Sequence, residues 1–366
     1  MDVHPADARE LEVWDDLVVT PGGGHVYQSM AWARHRAAAG WRPHHLVAAD
    51  GSAVLALERP WPLIGGGSAY LPRGPIPTGD PVAMAARLAA FSGWLADRGI
   101  DVIATDAEIE ADSGYPELIG AGGFRPIEEI QPSRHKLALE LGHGADEASV
   151  LAGVAKATRQ RIRGAERAGI VVVRYDKSRQ AETGPGEGFS APVGDSEVAL
   201  DGFYELLLET GERRRFSFGP RAAFVGWWQA ALAAGWLVLL EAQTAAGAVL
   251  AGLVLYRHGG RLSTVHSGDH AATRRDNPGA LHLLRWRAIQ LAIREGCAEM
   301  DLGGVDVPGA RRPPVEGEPM HGLYEHKRSF GARWVELAGA HERVVRPRRY
   351  ALGRALARAA RLVRRP

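Results

Sequence analysis

One order of elements occurs twice along this chain, and it constrains the fold more than any single residue does. In the first half, the hydrophobic periodicity predicts a helix over residues 29–39 and short strands over 44–49 and 53–59. An extended Gly/Pro-rich piece follows over 70–75, then a helix over 81–97 and a strand over 101–106. In the second half the succession returns as a helix over 221–233, strands over 236–242, 249–256 and 261–267, a helix over 280–294 and a strand over 298–302. The repeat is one of architecture rather than of sequence. Two copies of such a unit suit 366 residues, which are too many for one ordinary domain.

Composition narrows the function classes. With 46% hydrophobic and 24% charged residues the chain can build cores and is not a disordered protein. Its 44 basic and 43 acidic side chains give a formal charge of +1, which excludes a globally basic nucleic-acid coat but leaves local basic patches open. A single cysteine, Cys297, excludes an internal disulfide framework and a multi-cysteine metal knuckle. Lys136, Lys156, Lys177 and Lys327 are the only lysines among many arginines, so a lysine in a suggestive place carries extra information. Residues 1–16 are acidic without an apolar core and do not read as a signal peptide. Residues 234–256 are apolar apart from Glu241, Gln243 and Thr244, which a bilayer would penalise and a buried hairpin would not. A cytoplasmic protein is expected.

Three segments stand outside the repeat. Residues 176–200, rich in Gly, Ser, Pro and acid, predict a surface loop, and 305–320 an extended connection. Residues 343–366 hold nine arginines and no acid. In the last helical stretch Arg354, Arg358, Arg361 and Arg365 share one face, and Leu352, Leu356, Ala359 and Val363 the opposite one. Two readings stand: a peripheral contact with anionic lipid or nucleic acid, or a helix docked on the domain with a solvated basic face.

The repeated order resembles the core of the GNAT acyltransferase fold in two copies, so the expected class is α+β with two GNAT-like domains. No metal spacing, nucleophile elbow or Walker-type loop is present. A CoA-binding GNAT domain needs a short glycine-rich turn whose backbone N–H groups cradle a pyrophosphate. At that place stands Arg274-Arg275-Asp276-Asn277-Pro278-Gly279-Ala280, where Asp276 opposes a phosphate and Pro278 lacks an N–H, so acetyl-CoA is disfavoured.

Six motifs in order resemble the FemABX family of peptidoglycan bridge-forming aminoacyltransferases. They are Gln28-Ser29 with Trp32-Ala33, Tyr70-Leu71-Pro72-Arg73-Gly74-Pro75, a basic helix from Lys156 to Gly169, Thr210 with Arg213, Asp301-Leu302-Gly303-Gly304, and Gly322-Leu323-Tyr324 with Lys327, Phe330 and Gly331. The resemblance covers nearly the whole chain. It implies two GNAT-like domains without a coiled-coil arm, one over residues 1–137 completed by 322–366 and the other over 138–321. It implies transfer of an amino acid from aminoacyl-tRNA to the stem peptide of a lipid- or nucleotide-linked precursor, with no cofactor. In place of the aromatic residue that commonly precedes the motif lysine stands His326.

By resemblance, Lys327 is the cationic partner of the oxyanion; the bland alternative is a surface lysine. Arg36 matches a contact to the precursor's diphosphate, against a solvated helix face. Arg213 matches a second phosphate contact, with Arg215 the other register. Asp106 matches an acid near the acceptor, against a cap or turn residue. Tyr70 and Arg73 line the acceptor groove or shape their loop. Lys156, Arg159, Arg161 and Arg163 offer a basic helix to tRNA phosphates, against one solvated charged helix. A tRNA- or acyl-CoA-dependent transferase acting on a small metabolite, and an inactive scaffold at a membrane, are the alternatives.

Overall fold

The computed structural model describes residues 1–131, 134–142, 144–177, 188–190, 192, 194–214, 219–305 and 312–363. It divides into two compact units, Met1–His135 with Val335–Pro366, and Lys136–Trp334. Residues 322–334, expected with the first domain, belong to the second, because Phe330 and Ala332 lie in its core and Leu323, Tyr324 and Trp334 pack against it.

In chain order the strands are β1 (Val3–Pro5), β2 (Arg42–Ala48), β3 (Ala53–Pro60), β4 (Gly67–Leu71), β5 (Ile100–Thr105), β6 (Arg125–Pro126), β7 (His135–Glu140), β8 (Val171–Tyr175), β9 (Leu237–Gln243), β10 (Val249–His258), β11 (Arg261–Asp269), β12 (Glu299–Asp301), β13 (Arg333–Glu336) and β14 (His341–Val344). The first sheet runs β1-β2-β3-β4-β5-β14-β6, and the second β13-β7-β12-β11-β10-β9-β8.

In the first unit β4 and β5 pair in parallel, and the helix Pro81–Asp97 supplies the crossover such a pair requires. Asp80 caps that helix by accepting from the Val82 and Ala83 N–H groups, and Pro81 opens it. Its buried Met84, Leu88, Phe91 and Leu95 join the apolar core of the unit. The chain's return inserts β14 between β5 and β6.

The helix Pro347–Val363 then docks on the same unit. Buried Asp101 of β5 accepts from Arg349 Nε and Trp61 Nε1, each at 2.8 Å. Arg346 donates to the Ile100 and Ala96 carbonyls at 2.8 and 2.9 Å, and Gly353 lies against the Trp61 ring. Docking runs through residues 346–353, and Leu352, the first member of the apolar stripe expected from sequence, is exposed.

In the second unit β9 and β10 form the expected antiparallel hairpin. Glu241 lies inside β9, buried, and accepts from Gln243 Nε2 at 2.8 Å. The parallel pair β11–β12 is joined by the helix Ala280–Arg294, buried round most of its circumference. The helix Ser196–Arg214 begins inside the stretch expected to be a loop, with Asp195 accepting from the Glu197 N–H at 2.9 Å. No described helix is long and apolar enough to cross a membrane.

Candidate active site

Lys327 sits on the helix His321–Arg328 and is 5% exposed, so the surface-lysine alternative falls. Its ammonium donates to the Gly303 carbonyl at 2.9 Å and the Gly304 carbonyl at 3.0 Å. Two motifs that sequence could only list side by side are therefore physically one. The turn is shaped by Asp301, whose Oδ1 accepts from the Gly303 N–H at 2.7 Å, and by the positive φ of 75° at Gly303.

Nearby in the same unit, a cavity of about 650 Å³ is lined by Arg161, Asp269, Asn277, His282, Leu323 and His326, among others. The helix Lys156–Arg167 passes close to the start of the helix Ala280–Arg294: a Cβ on Gly279 would stand 2.5 Å from the Arg161 carbonyl oxygen. That approach lets Arg161 reach His282 Nε2 at 3.3 Å. Arginine only donates, so His282 Nε2 is an acceptor, and the 3.2 Å contact with His326 must be donated by His326 Nδ1. His326 Nε2 then accepts from Arg285 Nε at 3.2 Å, which fixes the tautomer of each ring. Burial first, and the surrounding cations second, hold both imidazoles neutral: His282 is pushed down to about 4 and His326 well below its ordinary value.

The rest of the basic helix divides. Lys156 and Arg163 are exposed. Arg159 turns inward and caps the end of the helix Glu147–Gly153, donating to the Leu151, Ala152 and Val154 carbonyls. Arg213 is tied to Asp269, donating to its carboxylate at 2.6 Å and its carbonyl at 3.1 Å. Arg215 lies outside the described residues. Ahead of the helix Ala280–Arg294, Pro278 has no N–H and the Ala280 N–H is spent on the Asn277 carbonyl at 3.2 Å, which leaves a poor pyrophosphate cradle.

The first unit holds a second cavity, of about 500 Å³, lined by Trp32, Arg36, Trp41, Trp61, Tyr70 and Tyr350, among others. Arg36, on the helix Met30–Ala38, lies 5.3 Å from the Trp32 ring centre and 5.0 Å from that of Trp41. Among the described residues no carboxylate pairs with it, and its Nε is buried without a partner. Burial and then Arg59 lower its pKa.

Gln28 joins two motifs. It accepts from the Leu55 N–H at 2.6 Å and donates to the Pro72 carbonyl at 2.5 Å, pinning the loop after β4 to β3. Tyr70, Arg73 and Asp106 do come together. Asp106 accepts from the Tyr70 hydroxyl at 2.8 Å and the Arg73 N–H at 2.7 Å, where Arg73 holds a positive φ of 54°. Burial raises the Asp106 carboxyl to about 6. Asp106 is thus a strut for the loop, as its bland alternative held, and Arg73 sits buried between it and Glu108. The Tyr70 ring lines the cavity.

Residues 153–328 match the family model described as an acetyltransferase (GNAT) domain. The crystal structure of FemX aligns with a TM-score of 0.75 over 96% of this chain and 99% of its own, at 17% identity. The fold is that of FemX. L-PGS from Bacillus licheniformis aligns at a TM-score of 0.52 and 13% identity, covering 99% of this chain and 98% of its own. A conserved protein of unknown function from Bacteroides thetaiotaomicron VPI-5482 aligns at 0.52 and 11%, covering 93% and 98%. No curated protein matches the sequence. The architecture is therefore two GNAT-like domains in the FemX arrangement of elements, as the repeated order implied.

Within this FemX-like fold, sequence reasoning missed Arg285, His282, Trp41, Trp61 and Tyr350. Arg285 left a signal: helical spacing sets it with Leu284, Ala288 and Ile289, all fully buried. The tryptophans left none, because their convergence depends on pairings distant in sequence.

Proposed function

We propose that the chain is an aminoacyltransferase that moves an amino acid from aminoacyl-tRNA to an amine on the stem peptide of a peptidoglycan precursor, forming an interpeptide bridge. The observation that carries this reading is Lys327, buried and held by the carbonyls of the Gly303-Gly304 turn, next in sequence to His326 in the wall of the second unit's cavity. The donor ester is already activated. The acceptor amine attacks its carbonyl carbon, a C–N bond forms, the C–O bond to the ribose breaks, and the proton lost by the amine ends on the departing ribose oxygen. The protein's part is to position both substrates and to offset the negative charge on the tetrahedral oxygen. Lys327 supplies that charge. The second unit's cavity takes the donor end, with Arg161 at its wall and exposed Lys156 and Arg163 available to phosphates.

The first unit's cavity takes the acceptor. Arg36 offers a guanidinium with no competing carboxylate to the diphosphate, and Trp32 and Trp41 keep it in place. Arg213, committed to Asp269, serves the second unit's frame, and its expected phosphate contact requires that pair to open. The poor pyrophosphate cradle at Pro278 weighs against acyl-CoA as donor. The test is incubation of the pure protein with charged total tRNA and either a nucleotide-linked or a lipid-linked precursor. Label should pass from tRNA to one acceptor. Transfer from acetyl-CoA instead, or from neither, overturns the reading.

A further inference from the structure

Arg285 takes no part in the scheme above, yet it is 2% exposed on the helix Ala280–Arg294. Burial pulls its pKa down to about 10, opposed only by Asp301. A buried guanidinium without a matched carboxylate is costly, so the position calls for a role. Its contacts reach both sides of Lys327. Nε donates to His326, the residue before the lysine on its helix, at 3.2 Å. Nη1 reaches Thr264 Oγ1 on β11 at 3.4 Å. Thr264 in turn packs on Gly303: a Cβ there would stand 2.8 Å from the Thr264 carbonyl oxygen. The Gly303 carbonyl is one of the two that hold the lysine's ammonium. One guanidinium therefore ties the helix that carries Lys327 to the turn that receives it.

We propose that Arg285 is a positioning residue for Lys327: it anchors His326 through Nε2 and braces Thr264 against Gly303, holding the ammonium at one point. The proposal rests on Lys327 as the functional lysine, but its geometry is testable without any substrate, so the two readings fail separately. Imidazole ¹⁵N spectra of the intact protein should show His326 protonated on Nδ1, with Nε2 accepting from Arg285; Arg161 acting through His282 keeps that tautomer in Arg285→Met, where the Nε2 resonance should shift as its donor is lost. An amine-acylating reagent with peptide mass mapping compares Lys327 with exposed Lys156, and only four lysines need resolving. Lys327 should react about tenfold more slowly than Lys156 in the native protein and within about threefold of it in Arg285→Met. The same variant should keep or raise its melting temperature, since an apolar side chain replaces a buried charge. In the transfer assay it should lose about 100-fold in kcat with KM nearly unchanged, as displaced catalytic groups do.

Should Arg285→Met not fold, Thr264→Val removes one link at little change in volume, and Lys327 labelling should still quicken. Unchanged Lys327 labelling in whichever of the two folds, a His326 proton on Nε2, or altered labelling with undiminished kcat each overturns the proposal. If labelling and tautomer behave as stated but Lys327→Ala leaves transfer intact, the positioning stands and the catalytic reading of Lys327 falls.

Discussion

The two cavities both present cations, but they hold them by opposite means. In the first unit Arg36 rests between two indole rings, and its N–H groups are not consumed by any described carboxylate. In the second, Arg161 at the wall is committed to the His282 imidazole, and in the same unit buried Arg285 is committed to His326 and Lys327 to backbone carbonyls. A cation held by aromatic faces keeps its donors for a ligand, whereas one held by hydrogen bonds has given up part of them for a fixed place. Changes in the first cavity should therefore appear in substrate affinity, and changes in the second in turnover.

The sharpest way to break this contrast is Lys327→Ala. Loss of one oxyanion donor typically costs about 100–1,000-fold in rate, and both KM values should move little. Steady-state transfer with each substrate varied in turn measures this, and near-native turnover would remove Lys327 from the chemistry. Arg36→Ala should do the reverse. A lost charge-assisted contact of about 1.5–3 kcal/mol raises acceptor KM by roughly tenfold or more and leaves donor KM and kcat near native. Arg36→Lys should be mild. An unmoved acceptor KM would mean that the indole-held guanidinium serves the fold alone.

Acid should separate the units next. In the second, His282 and His266 are pushed down to about 4 and His326 well below the ordinary value by burial. Their unfolded forms protonate first, so stability falls as pH drops below about 6.5 and goes on falling towards 4. In the first unit His45, at about 4, acts the same way, as do His35 and His341, which burial also lowers; but, as Glu241 does in the second, Asp106 acts oppositely. With its folded pKa raised to about 6, its burial is costly at neutral pH and relieved as pH falls through that value. Hydrogen exchange followed by mass spectrometry between pH 6.5 and 4.5 should show the second unit loosening first. Equal loosening would deny that its buried imidazoles set acid tolerance.

The smallest effect concerns the basic tail. Since residues 346–353 anchor the helix, truncation after Pro347 should destabilise the first unit and is a poor test of lipid binding. Replacing exposed Arg354 and Arg358 with alanine leaves the anchor intact. If the tail meets anionic lipid, each loss should weaken vesicle sedimentation by about 1 kcal/mol at low salt, and high salt should abolish the difference. Equal sedimentation of the double variant and the native chain would leave docking as the helix's one role.

Much of the fold was legible. The helices Pro81–Asp97, Arg221–Ala233 and Ala280–Arg294 were read to the residue, because Pro81, Pro220 and Gly279 punctuate their starts. β1, β6, β7, β8, β13 and β14 were missed. β14 spans four residues, His341–Val344, and is a strand because β5 and β6 flank it rather than through its own pattern. Of the candidate site, motifs singled out Lys327 and Arg36 but could not say what surrounds them. Arg159 and Asp106 were each left between a ligand contact and a bland role, and both bond to backbone groups, since a charge in a motif looks the same whether it meets a ligand or the main chain. Arg285 escaped although helical spacing set it among buried residues, because a charge on an apolar face does not say which distant groups, here Thr264 and His326, it will meet.

The insertion of β14 between β5 and β6 also sets an order of events during synthesis. The second unit is contiguous, Lys136–Trp334, and leaves the ribosome whole before His341 appears. Until then β5 is an open edge, and Asp101 lacks Arg349, the cation that will meet it. The half that begins first is the half that finishes last. A chain cut short near its end would carry a complete second unit and a first unit with an unpaired strand, the kind of surface that chaperones cover and that aggregates when they do not.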